Sequence, residues 1–238
     1  MYHQRRWDSD TLTVRRLIAD GLIGEVVRFE SRFERWRPVL SRNWRESAGG
    51  DNAGGLLYDL GSHLVDQALH LFGSVSTVYA ELDRRRPGAE VDDDVFVALT
   101  HTSGVRSHLW ASAMAAHHGP RVRVLGTRAA YVKRDADGQE AALRAGVRPD
   151  GPDWGVEAAT SWGLLSVGGE IRPLPSEPGA YQRYYAGVVA SLQKAAPPPV
   201  NPEDAVTVLE IIAAAQRSAA TGEQHLAFSV DPPSNAGG

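Results

Sequence analysis

Four segments of β-forming residues follow one another between residues 75 and 134 with almost no chain between them. Each is rich in valine, leucine or aromatic residues, and Thr102-Ser103-Gly104 offers a tight turn between the second and the third. Parallel strands need a crossover of about a dozen residues or more, so strands this close together must pair antiparallel. A smaller hairpin is predicted where GLLSV and EIRPL flank Gly168-Gly169. The four segments are VSTVYAELDRR, DDVFVALTHTSG, VRSHLWASAMAA and RVRVLGTRAAYVKR.

An earlier segment, EVVRFESRFERWRP, has the two-residue period of a half-buried strand. Val27, Phe29 and Phe33 are predicted to face the core. The opposite face carries four charged side chains: Arg28, Glu30, Arg32 and Glu34. A short helix is predicted before this strand, over residues 10–24, with Gly21 able to end it.

Two helices are predicted near the end of the chain. The first carries an amphipathic stripe made of Tyr181, Tyr184, Tyr185, Val188, Val189 and Leu192. The second begins with Asn201 as its cap and Pro202 as its first residue. The sequence therefore predicts an α+β fold, an open, mainly antiparallel β-sheet with helices packed on one face. One domain is expected over residues 1–229, followed by a disordered tail over 230–238.

Composition narrows the classes of function. The formal net charge of −4 gives no reason to expect a nucleic acid or an anionic membrane surface as partner. There is no cysteine, which excludes disulfides, thiolate catalysis and cysteine-ligated metal sites. The charged N-terminus is unlike a signal peptide, and no apolar run reaches the roughly 18 to 20 residues of a membrane span. We therefore expect a soluble, cytoplasmic protein.

The segment GGLLYDLGSHLVDQALHLFG, residues 54–73, places four polar side chains in an otherwise apolar helix. They lie three or four residues apart, which predicts one helical stripe of Asp59, His63, Asp66 and His70. The stripe has a plain structural interpretation. Asp59 would cap the helix, both histidines would be ordinary helix residues, and Asp66 and His70 would form an i, i+4 pair. It also has a functional one, because an Asp beside a His on a buried helix makes an acid–base pair in which the carboxylate raises the pKa of the imidazole. A metal site is the weaker interpretation, since no third ligand converges.

The same segment strongly resembles the G-G-x-x-x-D-x-G-x-H-x-x-D signature of the glucose–fructose oxidoreductase, inositol dehydrogenase and rhizopine-catabolism (Gfo/Idh/MocA) family. HQRRWDSDTLTVRRLIADGLIGEVVRFESRFERWRP resembles the segment that joins the dinucleotide domain of that family to its C-terminal domain. PEDAVTVLEIIAAAQRSAATGE resembles the last helix. The resemblance thus covers residues 2 to 228, and the subgroup it is most similar to is the scyllo-inositol dehydrogenases that use NADP.

The resemblance implies hydride transfer between a sugar or cyclitol carbon and nicotinamide. His63 would be the general acid–base, and Asp59 would position the substrate hydroxyl and tune His63. Arg5 would contact the substrate and border the nicotinamide, although Gln4 stands where the pattern usually has Asn. Three further residues are expected to line a polyol pocket, namely Arg35, Trp36 and Trp44, and surface packing is the plain alternative for each. Two are expected to be structural, namely Asp66 and His70.

The chain departs from the family in one large respect. Members begin with a Rossmann domain carrying G-x-G-x-x-G, and neither this motif nor the catalytic lysine of an E-K-P segment is present. NADP or NAD is therefore implied by the family but is not expected to bind this chain alone, which is predicted to be inactive by itself. A self-associating scaffold, a homo-oligomer formed through the charged strand face, is the alternative. A polyol-binding protein is a third possibility.

Overall fold

The computed structural model describes residues 2–41, 43–48 and 53–227. The predicted tail, 230–238, lies outside the described residues. Nine strands are found in the described residues: β1 (Val26–Glu34), β2 (Val75–Asp83), β3 (Asp94–His101), β4 (Arg106–Ser112), β5 (Val122–Gly126), β6 (Ala129–Lys133), β7 (Gly163–Val167), β8 (Glu170–Leu174) and β9 (His225–Leu226). They form one open sheet in the order β8-β7-β6-β5-β1-β4-β3-β2-β9. Only β1 and β4 pair in parallel, so the predicted mainly antiparallel sheet is confirmed.

The helices are α1 (Ser9–Ala19), α2 (Ser62–Phe72), α3 (Gln139–Arg144), α4 (Tyr181–Lys194) and α5 (Pro202–Thr221). The core lies between one face of the sheet and the apolar sides of α2 and α5. On β3, for example, Val95, Val97 and Leu99 are buried while the residues between them are half-buried. Among the described residues no helix has the length and apolar composition needed to cross a membrane.

Three local features differ from the sequence prediction. The fourth β segment folds into two strands, β5 and β6, because residues 127 and 128 make a turn between them. Helix α3 was not predicted. Val27 was expected in the core and is 55% exposed, because the register of β1 against β5 shifts between Val26 and Arg28. Such a bulge inserts one residue and turns its side chain out of the alternation.

The second face of the sheet carries the predicted charges together with aromatic rings. Glu30 is buried and accepts hydrogen bonds from Arg32 at 3.1 Å and from Arg123 at 3.0 Å. The Arg32 guanidinium lies 3.8 Å from the centre of the Trp110 ring on β4. Phe96 on β3 continues this surface, with its ring centre 5.2 Å from that of Trp110. We use the name β1–β4 surface for this set of side chains: Glu30, Arg32, Phe96, Trp110 and Arg123.

A buried ion pair fixes the beginning of the chain to the helices. Residues 4–7 form a 3₁₀ turn, and its Arg6 donates to both carboxylate oxygens of Asp66 on α2, with Nη2 at 2.6 Å and Nε at 3.0 Å. Nη2 also donates to Asp204 of α5 at 2.8 Å. Arg6 and Asp66 are both buried, which supports the structural role predicted for Asp66.

Two substitutions at this ion pair are expected to differ in their effect on stability. Asp66→Asn leaves the buried Arg6 charge without its main partner, so the free energy of unfolding should fall by about 3 kcal/mol. Asp204→Asn removes a carboxylate whose side chain is 41% exposed and should lower it by less than about 1 kcal/mol. Urea denaturation of the two variants and the parent chain measures both values. Equal losses would show that the ion pair does not act as described.

Candidate functional site

The helix that carries the motif begins at a close contact between Gly55 and Asp92. Gly55 has φ +99°, and a Cβ there would lie 2.2 Å from Oδ1 of Asp92. Oδ2 of the same carboxylate accepts the backbone N–H of Leu57 at 2.7 Å. Only a residue without a side chain fits here, because any Cβ would meet this carboxylate. The group approached is a carboxylate of the protein itself, which caps the start of the helix.

Three members of the predicted stripe, His63, Asp66 and His70, lie three and four residues apart on α2, whereas Asp59 lies in a different kind of helical turn. Residues 57–61 form a π-helical turn before α2, and its wider i→i+5 hydrogen bonding shifts the stacking of residues four apart. Asp59 is half-buried, His63 is mostly buried, Asp66 is fully buried and His70 is exposed. The four side chains therefore lie in four different environments.

His63 is held as a neutral imidazole. The pKa of His63 is lowered to about 3. Burial is the largest cause, followed by the positive charge of Arg5 and then by the neighbouring His3 and Arg121. Its Nδ1 is buried and has no hydrogen-bond partner among the described residues. The ring of His3 meets it edge to face, with ring centres 6.0 Å apart. The sequence predicted that a carboxylate raises this pKa, and that prediction is wrong. Burial and the nearby cations lower it instead.

Asp59 points to a different partner. Its Oδ1 lies 3.2 Å from Nε of Arg45, and the Arg45 guanidinium lies 4.5 Å from the centre of the Trp44 ring. Trp44 is 56% exposed, so it stands at the outer end of this short chain of contacts. The expected pairing of Asp59 with His63 is thus replaced by an ion pair with Arg45.

Two buried arginines lie over the ring of Phe33. The guanidinium carbon of Arg5 is 4.5 Å from the ring centre and that of Arg121 is 4.0 Å from it. Arg5 donates to Glu140 at 3.0 Å and lies 3.4 Å from Asp8. Burial opposes its charge, but these acids together raise the pKa of Arg5. A permanent positive charge is therefore fixed close to His63.

Arg35 lies where two neighbouring cavities meet. One cavity is lined by residues that include Asp59, and the other by residues that include Arg5 and Arg121. Within the described residues the Arg35 guanidinium makes no ion pair or hydrogen bond. Burial lowers the pKa of Arg35, which marks a cation only partly compensated by its surroundings. Arg35 is thus placed to donate hydrogen bonds to a ligand in either cavity.

The family model that matches the chain is the oxidoreductase family, C-terminal alpha/beta domain, over residues 15–227. The chain belongs to the Gfo/Idh/MocA oxidoreductase family. The matched part of the family is its C-terminal domain, as the sequence predicted.

Relatives and solved structures match about nine tenths of this chain. The chain is 36% identical over 222 residues to the scyllo-inositol 2-dehydrogenase (NADP(+)) IolW of Bacillus subtilis, a match that covers 92% of this chain and 61% of that protein. It is 40% identical to the uncharacterized oxidoreductase YdgJ of Escherichia coli, covering 89% and 61%. A solved putative oxidoreductase, yvaA of Bacillus subtilis, superposes with a TM-score of 0.88 at 35% identity and covers 94% and 65%. The chain thus spans about three fifths of the length of these curated relatives.

The nicotinamide cofactor of this family fits the described residues only in part. Nε of Arg5 and Nδ1 of His63 are buried and have no hydrogen-bond partner among the described residues, so both lack a polar partner of the kind that a ring amide carries. The dinucleotide itself needs a parallel βαβ unit with a glycine-rich turn, and the described residues contain one parallel pair, β1 with β4, without such a turn. Nor do three or more His, Asp or Glu side chains in the described part converge as a metal site.

Sequence reasoning missed two residues next to His63. His3 precedes Arg5 by two residues in the same segment, and Arg121 follows the break at Gly119-Pro120. Neither belongs to a motif, and only the folded chain brings them to the imidazole. The spacing of the helix residues identified polar side chains with unusual surroundings. It was a poor guide to their partners.

The protonation state of His63 can be tested directly. We expect its Hε1 resonance in the native chain to stay constant from pH 8 down to about pH 5, because the neutral ring does not titrate there. In the urea-unfolded chain the same imidazole should titrate near pH 6.5. The unfolded chain then binds the proton first, so His63 makes folding less favourable as the pH falls below about 6.5. A native midpoint between pH 6 and 7 would contradict the buried, neutral state.

Proposed function

We propose that this chain is the substrate-binding and oligomerisation domain of an NAD(P)-dependent oxidoreductase that acts on a CH–OH group of a sugar or cyclitol. The observation that carries the proposal is His63, a neutral and largely buried imidazole beside fixed cations at a family motif. Two relatives support the substrate class by their names, scyllo-inositol 2-dehydrogenase and, at 28% identity, the D-apiose dehydrogenase of Paraburkholderia graminis. The first of these names also favours NADP over NAD.

In this proposal the proton and the hydride leave the substrate separately. The unprotonated ring nitrogen of His63 accepts the hydroxyl proton. The positive charges of Arg5 and Arg121 stabilise the negative charge that develops on the substrate oxygen. Arg35 and Asp59 bind other hydroxyls of the polyol, the first as a donor and the second as an acceptor. Bound nicotinamide supplies the acceptor for the hydride.

The isolated chain is proposed to have no appreciable dehydrogenase activity. A general base works best when its pKa lies near the working pH, and the pKa of His63 lies far below neutrality in this domain. A dinucleotide-binding domain, on the same polypeptide or on another, would both deliver the cofactor and change the electrostatic surroundings of His63.

Isothermal titration calorimetry with myo-inositol, scyllo-inositol, NADPH and NADH tests this proposal. We expect an inositol to bind the chain and neither nucleotide to do so. His63→Ala should weaken inositol binding at least about tenfold, because the substitution removes a buried polar contact with the polyol. His70→Ala is the matched control, because this histidine lies on the same helix and is exposed.

The outcomes separate the proposals. Inositol binding that is unchanged in His63→Ala would exclude His63 from the substrate site. Absence of any binding would favour the scaffold function over the enzymatic one. Oxidation of any cyclitol by the purified chain with NADP would contradict the proposed dependence on a second domain.

The β1–β4 surface supports a second candidate, self-association of the sheets into a homo-oligomer. This surface combines stacked rings with compensated charges, including Arg32 over Trp110 and the pairing of Arg32 with Glu30. Such surfaces suit protein–protein contacts, in which aromatic residues and arginine are enriched.

Charge reversal at the β1–β4 surface tests this association. Arg32→Glu would place a third acid beside Glu30 and Glu34 and remove the cation from Trp110, so the oligomer should dissociate. Arg172→Glu on the outer strand β8 is the control, because it reverses the charge of an exposed arginine of the same sheet outside the β1–β4 surface. Sedimentation velocity measures both variants. An oligomer that persists in Arg32→Glu and is lost in Arg172→Glu would assign the contact to the other end of the sheet.

A further inference from the structure

A cavity of about 160 Å³ at one edge of the sheet is lined by five arginines. The ends of β1 and β6 and the beginning of β5 meet at this edge, because β5 runs antiparallel to both. Backbone N–H groups join the three segments, with Arg32 donating to the carbonyl of Arg121 at 2.9 Å and Arg121 donating to that of Arg134 at 3.3 Å. Arg35, just after β1, and Arg5 of the 3₁₀ turn complete the set. We call the space that these five side chains line the arginine cavity.

The arginine cavity carries an excess of positive charge, although the formal net charge of the chain is −4. Three acids line it beside the five arginines, namely Glu34, Asp137 and Glu140. Each acid already accepts a hydrogen bond from the protein, Glu34 and Asp137 from backbone N–H groups and Glu140 from Arg5. A cavity lined by more cations than anions attracts anionic ligands.

Two of the five guanidinium groups are available to a ligand. In the described part of the chain, the side chains of Arg35 and Arg134 form no ion pair and no hydrogen bond. Arg35 is half-buried and Arg134 is exposed. A third arginine, Arg5, is only 9% exposed and keeps one unused donor, because its Nε is buried without a hydrogen-bond partner. The cavity therefore offers unused cationic donors at three positions.

The other two arginines contribute fixed charge. Arg32 donates to Glu30 at 3.1 Å. Arg121 is buried, donates to Gln67 at 3.0 Å, and has its Nε 3.1 Å from a carboxylate oxygen of Asp10. These contacts hold both guanidinium groups in place before a ligand arrives. A ligand that binds beside them therefore loses little affinity to the ordering of protein side chains.

We infer that the arginine cavity binds the acidic group, a carboxylate or a phosphate, of a sugar or cyclitol substrate. This inference rests on the proposed function, because it names the class of substrate for the same site. A guanidinium group matches two oxygens of a carboxylate or a phosphate, and Arg35 and Arg134 are the unpaired ones. Arg35 also borders the cavity that contains Asp59. One ligand can therefore place a hydroxyl at Asp59 and its acid at the arginines.

Matched pairs of ligands test the inference on the chain itself. Isothermal titration calorimetry compares D-glucuronate with D-glucose, and myo-inositol 1-phosphate with myo-inositol. We expect at least one acid to bind at least about tenfold more tightly than its neutral parent, because charge-assisted hydrogen bonds are stronger than neutral ones. This advantage should shrink as the salt concentration rises from about 20 to about 200 mM, since ions screen exposed charges. The pair that shows the larger advantage identifies the acid as a carboxylate or a phosphate.

Arg134→Gln removes one charge of the arginine cavity and breaks no contact of the described residues. It should reduce the advantage of the acid by about threefold and leave the affinity for the neutral parent unchanged. Arg134→Lys keeps the charge and should restore most of the advantage. Arg172→Gln is the matched control, because Arg172 on β8 is likewise exposed and unpaired among the described residues. It should change neither affinity.

Three results would overturn the inference. The first is that neither acid binds more tightly than its neutral parent. The second is an advantage that persists in the double variant Arg35→Gln, Arg134→Gln, because the acid then binds elsewhere. The third is a free ion, acetate or inorganic phosphate, that binds as tightly as the corresponding acid, because the cavity then holds an anion without a sugar.

The proposed function fails by a different result. If inositol binds equally well to the parent chain and to His63→Ala, His63 is not part of the substrate site, whatever the acids do. If a neutral polyol binds through His63 and neither acid gains affinity, the proposed function stands and the inference about the acidic group is wrong.

Discussion

The ion pair between Arg6 and Asp66 is the contact on which the candidate site depends. It holds the 3₁₀ turn of residues 4–7 against α2. It thereby fixes Arg5 of that turn, and His3 just before it, beside His63. A buried ion pair adds little stability compared with an apolar contact of the same size, but it allows few alternative arrangements. The N-terminal segment is therefore ordered next to the imidazole although it contributes few apolar side chains to the core.

His63 is held in a form that carries no charge at neutral pH. The surrounding burial and positive charge keep its ring neutral, and its Nδ1 has no partner among the described residues. Both properties describe a site whose electrostatics are incomplete. Approach of a carboxylate or a polar ligand would supply the missing partner and move the pKa of the imidazole towards neutrality. If His63 is the base, as we propose, the contact that completes the site also activates it.

The sequence predicted the sheet well because strand alternation and short connections are local signals. It failed where distant residues decide the outcome. Val27 follows the alternation and yet faces outward, since a bulge opposite β5 displaces it. The spacing of Asp59 and His63 is visible in the sequence, but the π-helical turn that contains Asp59 and its ion pair with Arg45 are not. No spacing rule reveals Arg121, which reaches the site only through the folding of β5 beside β1.

Strand β1 also determines how the sheet is assembled. Strands β2 to β4 form one antiparallel meander and β5 to β8 form another, each from residues close in sequence. β1 lies between them and pairs with β4 on one side and with β5 on the other. It thus closes two strand edges that would otherwise present free backbone groups to other molecules. Each meander is built from contacts close in sequence, whereas β1 joins them across a long stretch of chain, so any partly folded species without β1 in place would expose two open strand edges.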